Sequence, residues 1–265
     1  MRVGLVQMRS GTDPERNSDD ALASIREAAG EGADLVATPE MTTLLQRDRA
    51  ALDRDVRDEA DTVAPFAEVA RELGVHVLIG SAAIREGDTL RNRSLLISPE
   101  GAVAARYDKM HMFDVDVSAT ERWRESATYS AGDGPVTAPV GEARLGLSVC
   151  YDLRFPELYR HYARAGCGVV SVPAAFTVPT GRAHWHVLLR ARAIETGAFV
   201  LAPAQGGLHA DGRTTYGHSL VVGPWGEVVA ELDHDEPGVL MADLDLSQVA
   251  HARARIPAWR AEPRI

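Results

Sequence analysis

Cysteine is nearly absent: Cys150 and Cys167 are the only two in 265 residues. Two thiols cannot build the multi-bridge framework of a small secreted domain. Both lie in apolar, strand-like runs, which fits a reducing compartment and predicts a cytoplasmic protein. Long hydrophobic runs are also missing. No apolar stretch approaches the roughly 18 residues of a membrane span. The start, Met1 to Met8, has one basic residue and no extended apolar centre, so it reads as a strand and not as a signal peptide. Positive charge is in deficit, with 28 Lys plus Arg against 38 Asp plus Glu, a formal net charge of −10. A chain with a sequence pI of about 5.4 repels phosphate backbones and anionic lipid, which argues against nucleic-acid and membrane partners. No G-x-G-x-x-G or G-x-x-x-x-G-K segment occurs, so nucleotide binding is not indicated. Cys-x-x-Cys and His-Glu-x-x-His are likewise absent. No Ser/Gly-rich linker divides the chain, and a single domain over 1–265 is expected.

What is present is a hydrophobic content of 45%, enough for a large core. Residues 2–8 form the first predicted strand. Asp13-Pro14 caps a helix, since Asp accepts from free N–H groups and Pro suits the first helical position. Ala21, Ile25, Ala28 and Ala29 give that helix an apolar face. Asp34–Thr38 reads as a buried strand ending at Pro39-Glu40. A helix from about 62 to 73, a strand His76–Ser81 and a hairpin from Asn92 to Tyr107 follow, the hairpin turning at Pro99-Glu100-Gly101. The second half repeats this order. A strand at 143–149 is followed by a helix at 156–165, a strand at 168–172, a helix at 182–196, a strand at 199–203 and a hairpin turning at Pro224-Trp225-Gly226. Strands that alternate with helices and then pair as hairpins predict an α/β fold with two mixed sheets and the helices outside.

Cys150 ends an alternating strand pattern, and Pro156-Glu157 opens a helix four residues later. A thiol on such a strand-to-helix turn is lifted from the sheet beside unpaired N–H groups that can bind an oxyanion. A buried core cysteine is the alternative reading, and it is the expected one for Cys167. Glu40 lies just past a short buried strand, and Lys109 just past a hairpin strand. Each taken singly reads as an ordinary solvated side chain. Glu125 has no local signal beyond polarity.

Three segments together change the reading. Leu35-Val36-Ala37-Thr38-Pro39-Glu40-Met41, Tyr107-Asp108-Lys109-Met110-His111-Met112-Phe113-Asp114 and Gly146-Leu147-Ser148-Val149-Cys150-Tyr151-Asp152-Leu153-Arg154-Phe155-Pro156-Glu157-Leu158 resemble the motifs of the nitrilase superfamily of carbon–nitrogen hydrolases, in the expected order. Arg124-Glu125-Ser126 resembles the segment carrying that family's second active-site glutamate. The stretches 176–185, 188–196, 204–207 and 216–219 resemble the Nit amidase branch, whereas Trp259–Ile265 lacks its usual tyrosine-bearing tail.

The resemblance implies an α-β-β-α sandwich with two similar halves, assembled at least as a dimer, and no cofactor or metal. It implies hydrolysis of a small primary carboxamide, of the deaminated glutathione or omega-amide type, through a Cys150 thioester. A carbamoyl substrate is the alternative within the family. Glu40 would be the general base, Lys109 and the Tyr151 N–H would hold the oxyanion, and Glu125 would orient Lys109 or the amide. A second carboxylate near Glu40 is also expected to raise one of the two pKa values. Phe176 and Thr177 are expected on the substrate side. Arg154 would reach a substrate carboxylate or pair with Glu157. Two rival classes remain. One is a metal-dependent amidohydrolase built on His184-x-His186, although the run 182–195 has helical periodicity, which makes i and i+2 diverge. The other is a non-catalytic scaffold.

Overall fold

The computed structural model describes residues 1–116 and 122–261. Its first half runs β1 (Arg2–Gln7), α1 (Pro14–Gly30), β2 (Leu35–Ala37), α2 (Arg49–Asp55), α3 (Glu59–Leu73), β3 (His76–Glu86), β4 (Thr89–Ile97) and β5 (Val103–Asp108). A small ribbon, β6 (Asp114–Asp116) with β7 (Arg122–Arg124), leads into the second half. There follow β8 (Val136–Val140), β9 (Ala143–Leu147), α4 (Pro156–Arg164), β10 (Val169–Ser171), α5 (Val178–Thr196), β11 (Phe199–Ala202), β12 (Gly206–Leu208), β13 (Thr214–Tyr216), β14 (Leu220–Val222), β15 (Val228–Glu231), β16 (Gly238–Asp243) and α6 (Ser247–Arg255).

Local chemistry accounts for the element ends. The Asp13 carboxylate accepts from the N–H groups of Glu15 and Arg16, with Pro14 opening α1. Gly101 and Gly226, both in the left-handed region, turn the two hairpins. Several expected boundaries move, among them three at helix and strand ends. Helix α3 starts at Glu59, because Asp58 accepts from Asp61 N–H as its cap. Helix α5 starts at Val178, with Pro179 in its first turn. Strand β3 runs on to Glu86, past a register shift between Ile79 and Ala82.

The two sheets order as β16-β1-β2-β3-β4-β5 and β15-β14-β11-β10-β9-β8. In the first, β1, β2 and β3 are parallel, and β4 and β5 follow antiparallel. In the second, β9, β10 and β11 are parallel, and β14 and β15 follow antiparallel. The antiparallel edges β16 and β8 correspond as well. The repeated order read in the sequence is thus a repeated topology.

Period-2 alternation separates the layers. Val3, Leu5, Leu35, Ala37, Leu78 and Leu96 point into the space shared with Leu145, Leu147, Val169 and Leu201 of the other sheet. The intervening Val36, Val77, Ile79 and Leu95 meet Ile25, Phe66 and Val69 of α1 and α3. On the far side, Tyr159, Tyr162, Trp185 and Leu189 cover the second sheet from α4 and α5. The arrangement is an α-β-β-α sandwich. No helix among the described residues is long and apolar enough to cross a membrane.

Candidate active site

Glu40 and Cys150 follow the C-terminal ends of the parallel strands β2 and β9, where α/β sheets bind ligands, and Lys109 follows β5. Gly80 makes room for Glu40: a Cβ there would lie 1.9 Å from the Thr38 carbonyl and 2.6 Å from that of Pro39. Met41, directly after Glu40, holds a φ of 54°, and Cys150 a φ of 50°. Such values are uncommon for residues with a Cβ and persist where surrounding bonds over-determine the backbone.

At Cys150 those bonds are visible. The Cys150 N–H donates to the Pro173 carbonyl at 2.9 Å. The carboxylate of Asp152, fully buried, accepts from Val149 N–H at 2.9 Å, Tyr107 hydroxyl at 2.7 Å and His111 N–H at 3.1 Å. Asp152 therefore ties the Cys150 turn to the segment bearing Lys109. A polar residue inside a catalytic-looking motif is the only sequence signal for it.

The Lys109 ammonium is 2.9 Å from Glu40 Oε1 and 2.8 Å from Glu125 Oε2. Asn92 Nδ2 also bridges the two carboxylates, donating at 3.0 Å to Oε1 of each. The other Glu40 oxygen accepts from Ala175 N–H at 2.9 Å, and Phe113 N–H donates to Glu125 at 2.7 Å. Asn92, Ala175 and Phe113 N–H carried no sequence signal, because each is brought in by a different strand or loop.

Burial opposes charge on Glu40, but the Lys109 ammonium and hydrogen bonds from Cys150, Lys109 and Asn92 prevail and hold its carboxyl below the ordinary value. The expectation that one of the two carboxyls is raised is not met at Glu40, where a cation lies between the acids. Burial works against the Lys109 charge too, yet Glu125 and Glu40 keep the amine protonated well past its usual range. Burial and the Glu40 charge push the Cys150 thiol well up, against the pull of Lys109. These directions favour a neutral thiol beside an ionised carboxylate, with a cation alongside.

These groups open onto a cavity of about 240 Å³, below the roughly 300–1,000 Å³ of sites for drug-sized ligands. Met41, Leu44, Phe113, Trp123, Tyr129 and Phe176 supply its apolar wall, and Thr177 lines it as well. Arg47 and Arg213 also face it. Their guanidinium carbons sit 5.0 and 5.4 Å from the Trp123 ring centroid. Tyr151 is the second residue of a 3-10 turn over Cys150–Arg154, a position whose N–H the turn itself leaves without an acceptor.

Arg154 is placed beside the ring of Phe176, which lines the cavity. Arg154 itself does not line the cavity and forms no ion pair with Glu157 among the described residues. Its guanidinium lies 3.3 Å from His184 Nδ1 and stands over the Tyr151 and Phe176 rings. His184 and His186 diverge, His186 pairing with Glu231 at 2.7 Å. Of the C-terminal stretch read as divergent, residues 262–265 lie outside the described residues.

The profile of the carbon-nitrogen hydrolase family matches residues 2–254. The chain belongs to that family. It is a hydrolase acting on carbon–nitrogen bonds. It is 38% identical to the deaminated glutathione amidase of Synechocystis sp. over 96% of this chain and 94% of that protein. Among solved structures it resembles the C. elegans NitFhit protein with a TM-score of 0.88 at 34% identity, covering 98% of this chain and 64% of that one. It also resembles an amidase variant from Nesterenkonia sp. AN1 in which acrylamide has added to the active-site cysteine. There the TM-score is 0.78 at 29% identity, over 97% of this chain and 98% of that one.

Proposed function

We propose that this carbon–nitrogen hydrolase is a thiol amidase that converts a small, carboxylate-bearing primary carboxamide to acid and ammonia. The observation that carries the reading is the Glu40 carboxylate, 2.9 Å from the Lys109 ammonium and lining one small cavity together with Cys150.

In the first step the Cys150 sulfur attacks the amide carbon while its proton passes to Glu40, so no free thiolate is needed. The carbonyl oxygen becomes an oxyanion held by Lys109 and the Tyr151 N–H. Loss of one such donor typically costs about 10²–10³ in kcat. Glu40 returns the proton to the departing nitrogen, ammonia leaves, and a Cys150 thioester remains. Glu40 then takes a proton from water, the hydroxyl attacks the thioester, and collapse releases the carboxylic acid and restores the thiol. Glu125 orients Lys109, because two of its contacts go to the Lys109 nitrogen. Phe176 and Thr177 border the bound amide.

The substrate carboxylate is proposed to sit near Arg47, which forms no ion pair with a carboxylate among the described residues. Supporting this class, the chain resembles an enzyme named for deaminated glutathione. The protein is proposed to work in the cytoplasm, in keeping with two free cysteines. It is also proposed to work as a homo-oligomer, in keeping with exposed Val187, Ile194 and Trp225.

An ammonia-release assay tests the reading across deaminated glutathione, omega-amides of alpha-keto acids, N-carbamoyl amino acids and simple aliphatic amides. Turnover of a carboxylate-bearing amide is expected, and Cys150→Ala abolishes it. Turnover that survives Cys150→Ala overturns the mechanism. Preference for the carbamoyl acids overturns the substrate class.

A further inference from the structure

Outside the cavity, three metal-binding side chains converge. One nitrogen each of His186 and His218 and an oxygen of Glu231 lie within 4.8 Å of one another. His186 Nε2 is 2.7 Å and His218 Nδ1 is 3.2 Å from the same Glu231 oxygen, Oε1. The residues come from α5, from the link between β13 and β14, and from the end of β15. None of them lines the cavity.

The geometry is pre-organised by groups that do not themselves bind. His218 is held at a φ of 57°. Its N–H donates to the His234 carbonyl at 3.0 Å, and its carbonyl accepts from Trp185 Nε1 at 2.9 Å. Its ring stacks on Tyr216 with centroids 4.2 Å apart. Before it, Gly217 has a φ of 68°, and any Cβ there would lie 2.6 Å from the Asp235 backbone. The turn is thus locked with the His218 ring facing α5, a conformation that non-glycine residues adopt only under such constraint.

We propose that His186, His218 and Glu231 form a binding site for a divalent cation of the zinc class, clamping α5 to the β14–β15 hairpin. Two imidazole nitrogens and one carboxylate oxygen are a donor set that suits zinc, with a fourth position left to water. Tetrahedral coordination at about 2.0–2.1 Å spaces neighbouring donors by about 3.3 Å. Small side-chain rotations bring the present spacings to that value. All three side chains are partly exposed, which provides an entry path. The site does not depend on the amidase reading. Its role is structural, since the thiol chemistry lies elsewhere.

The test uses full-length protein stripped with a chelator and carrying Cys150→Ala, so that the reactive thiol cannot compete for metal. Zinc uptake is measured by competition with a chromophoric chelator, alongside the thermal midpoint with and without zinc. One zinc per chain and a zinc-dependent rise in midpoint are expected. His186→Ala and Glu231→Gln, each added separately, lower zinc affinity by more than about tenfold and remove the rise. Cobalt(II) added in place of zinc gives visible absorption that both variants lose. Absence of zinc uptake by the stripped protein overturns the proposal. So does undiminished affinity in both variants. Circular dichroism without metal shows whether a variant has kept its fold, so lost binding in a folded variant counts for the site.

Discussion

Lys109 is the only lysine in the chain, all its other basic residues of the Lys/Arg pair being arginine. Its surroundings explain why arginine does not serve at this position. The nitrogen sits 2.8–3.0 Å from three oxygens of two different carboxylates, in a side chain that is only 2% exposed. A compact ammonium fits that point, whereas a planar guanidinium presents a fork suited to one carboxylate. Lys109→Arg is therefore expected to lower kcat by about 10²–10³, read in the ammonia assay, even though the charge is kept. The ionisation states give a second prediction. Glu40 must be charged to accept the thiol proton, and its carboxyl is held below its ordinary value. The thiol and the Lys109 amine are both pushed up. The profile of kcat/KM against pH should be flat through neutrality. It should fall on the acid side only as Glu40 protonates, and on the alkaline side only above the ordinary thiol range. A limb near pH 7 would refute this assignment.

At the scale of elements, the close approach of β3 to the segment after β2 sets where Glu40 emerges. Gly80 is the residue that permits it. Gly80→Ala places a methyl group where backbone oxygen already lies. Overpacking of this kind typically costs about 1–3 kcal/mol, and both the denaturant midpoint and kcat should fall together, because displaced backbone carries Glu40 with it. An unchanged midpoint would show that the strand can yield. Elements with a strong local pattern were legible in the sequence. Helix α1, with its Asp13 cap and its Ala21, Ile25, Ala28 face, is one; the two Pro-x-Gly hairpins are another. Helix α2 was not legible, since of its seven residues only Leu52 is buried. Strand β16 was missed because its place is set by pairing with β1, more than 230 residues away in sequence. The ribbon β6–β7, which brings Trp123 and Glu125 to the cavity, likewise has no alternating apolar pattern of its own.

Across the whole molecule, charge is distributed unevenly. The chain is acidic overall at −10, yet arginines gather at the cavity. A carboxylate-bearing amide would be repelled by the general surface and drawn to this one region. Its kcat/KM should decline as ionic strength rises and the Debye length shortens. Arg47→Ala should raise KM by about 10- to 100-fold, the worth of a hydrogen bond to a charged group, with kcat nearly unchanged. Steady-state kinetics at two salt concentrations, with a neutral amide as control, separates this from a general loss of activity. An equal effect on the neutral amide would remove Arg47 from substrate recognition.

By itself the amino-acid order determined the family and the alternation of layers, and it singled out Glu40, Lys109, Glu125 and Cys150 only through the likeness of their segments to that family's motifs, not through a pattern local to each residue. Only the tertiary structure decided how they are wired: Lys109 between two acids, Asn92 bridging the same pair, Asp152 locking the thiol's turn, and Arg154 set against His184. It also decided that His186 meets His218 and Glu231 and not its neighbour His184. These are contacts between distant strands and loops. Their partners are selected by the topology of two facing sheets, and no short-range periodicity encodes them.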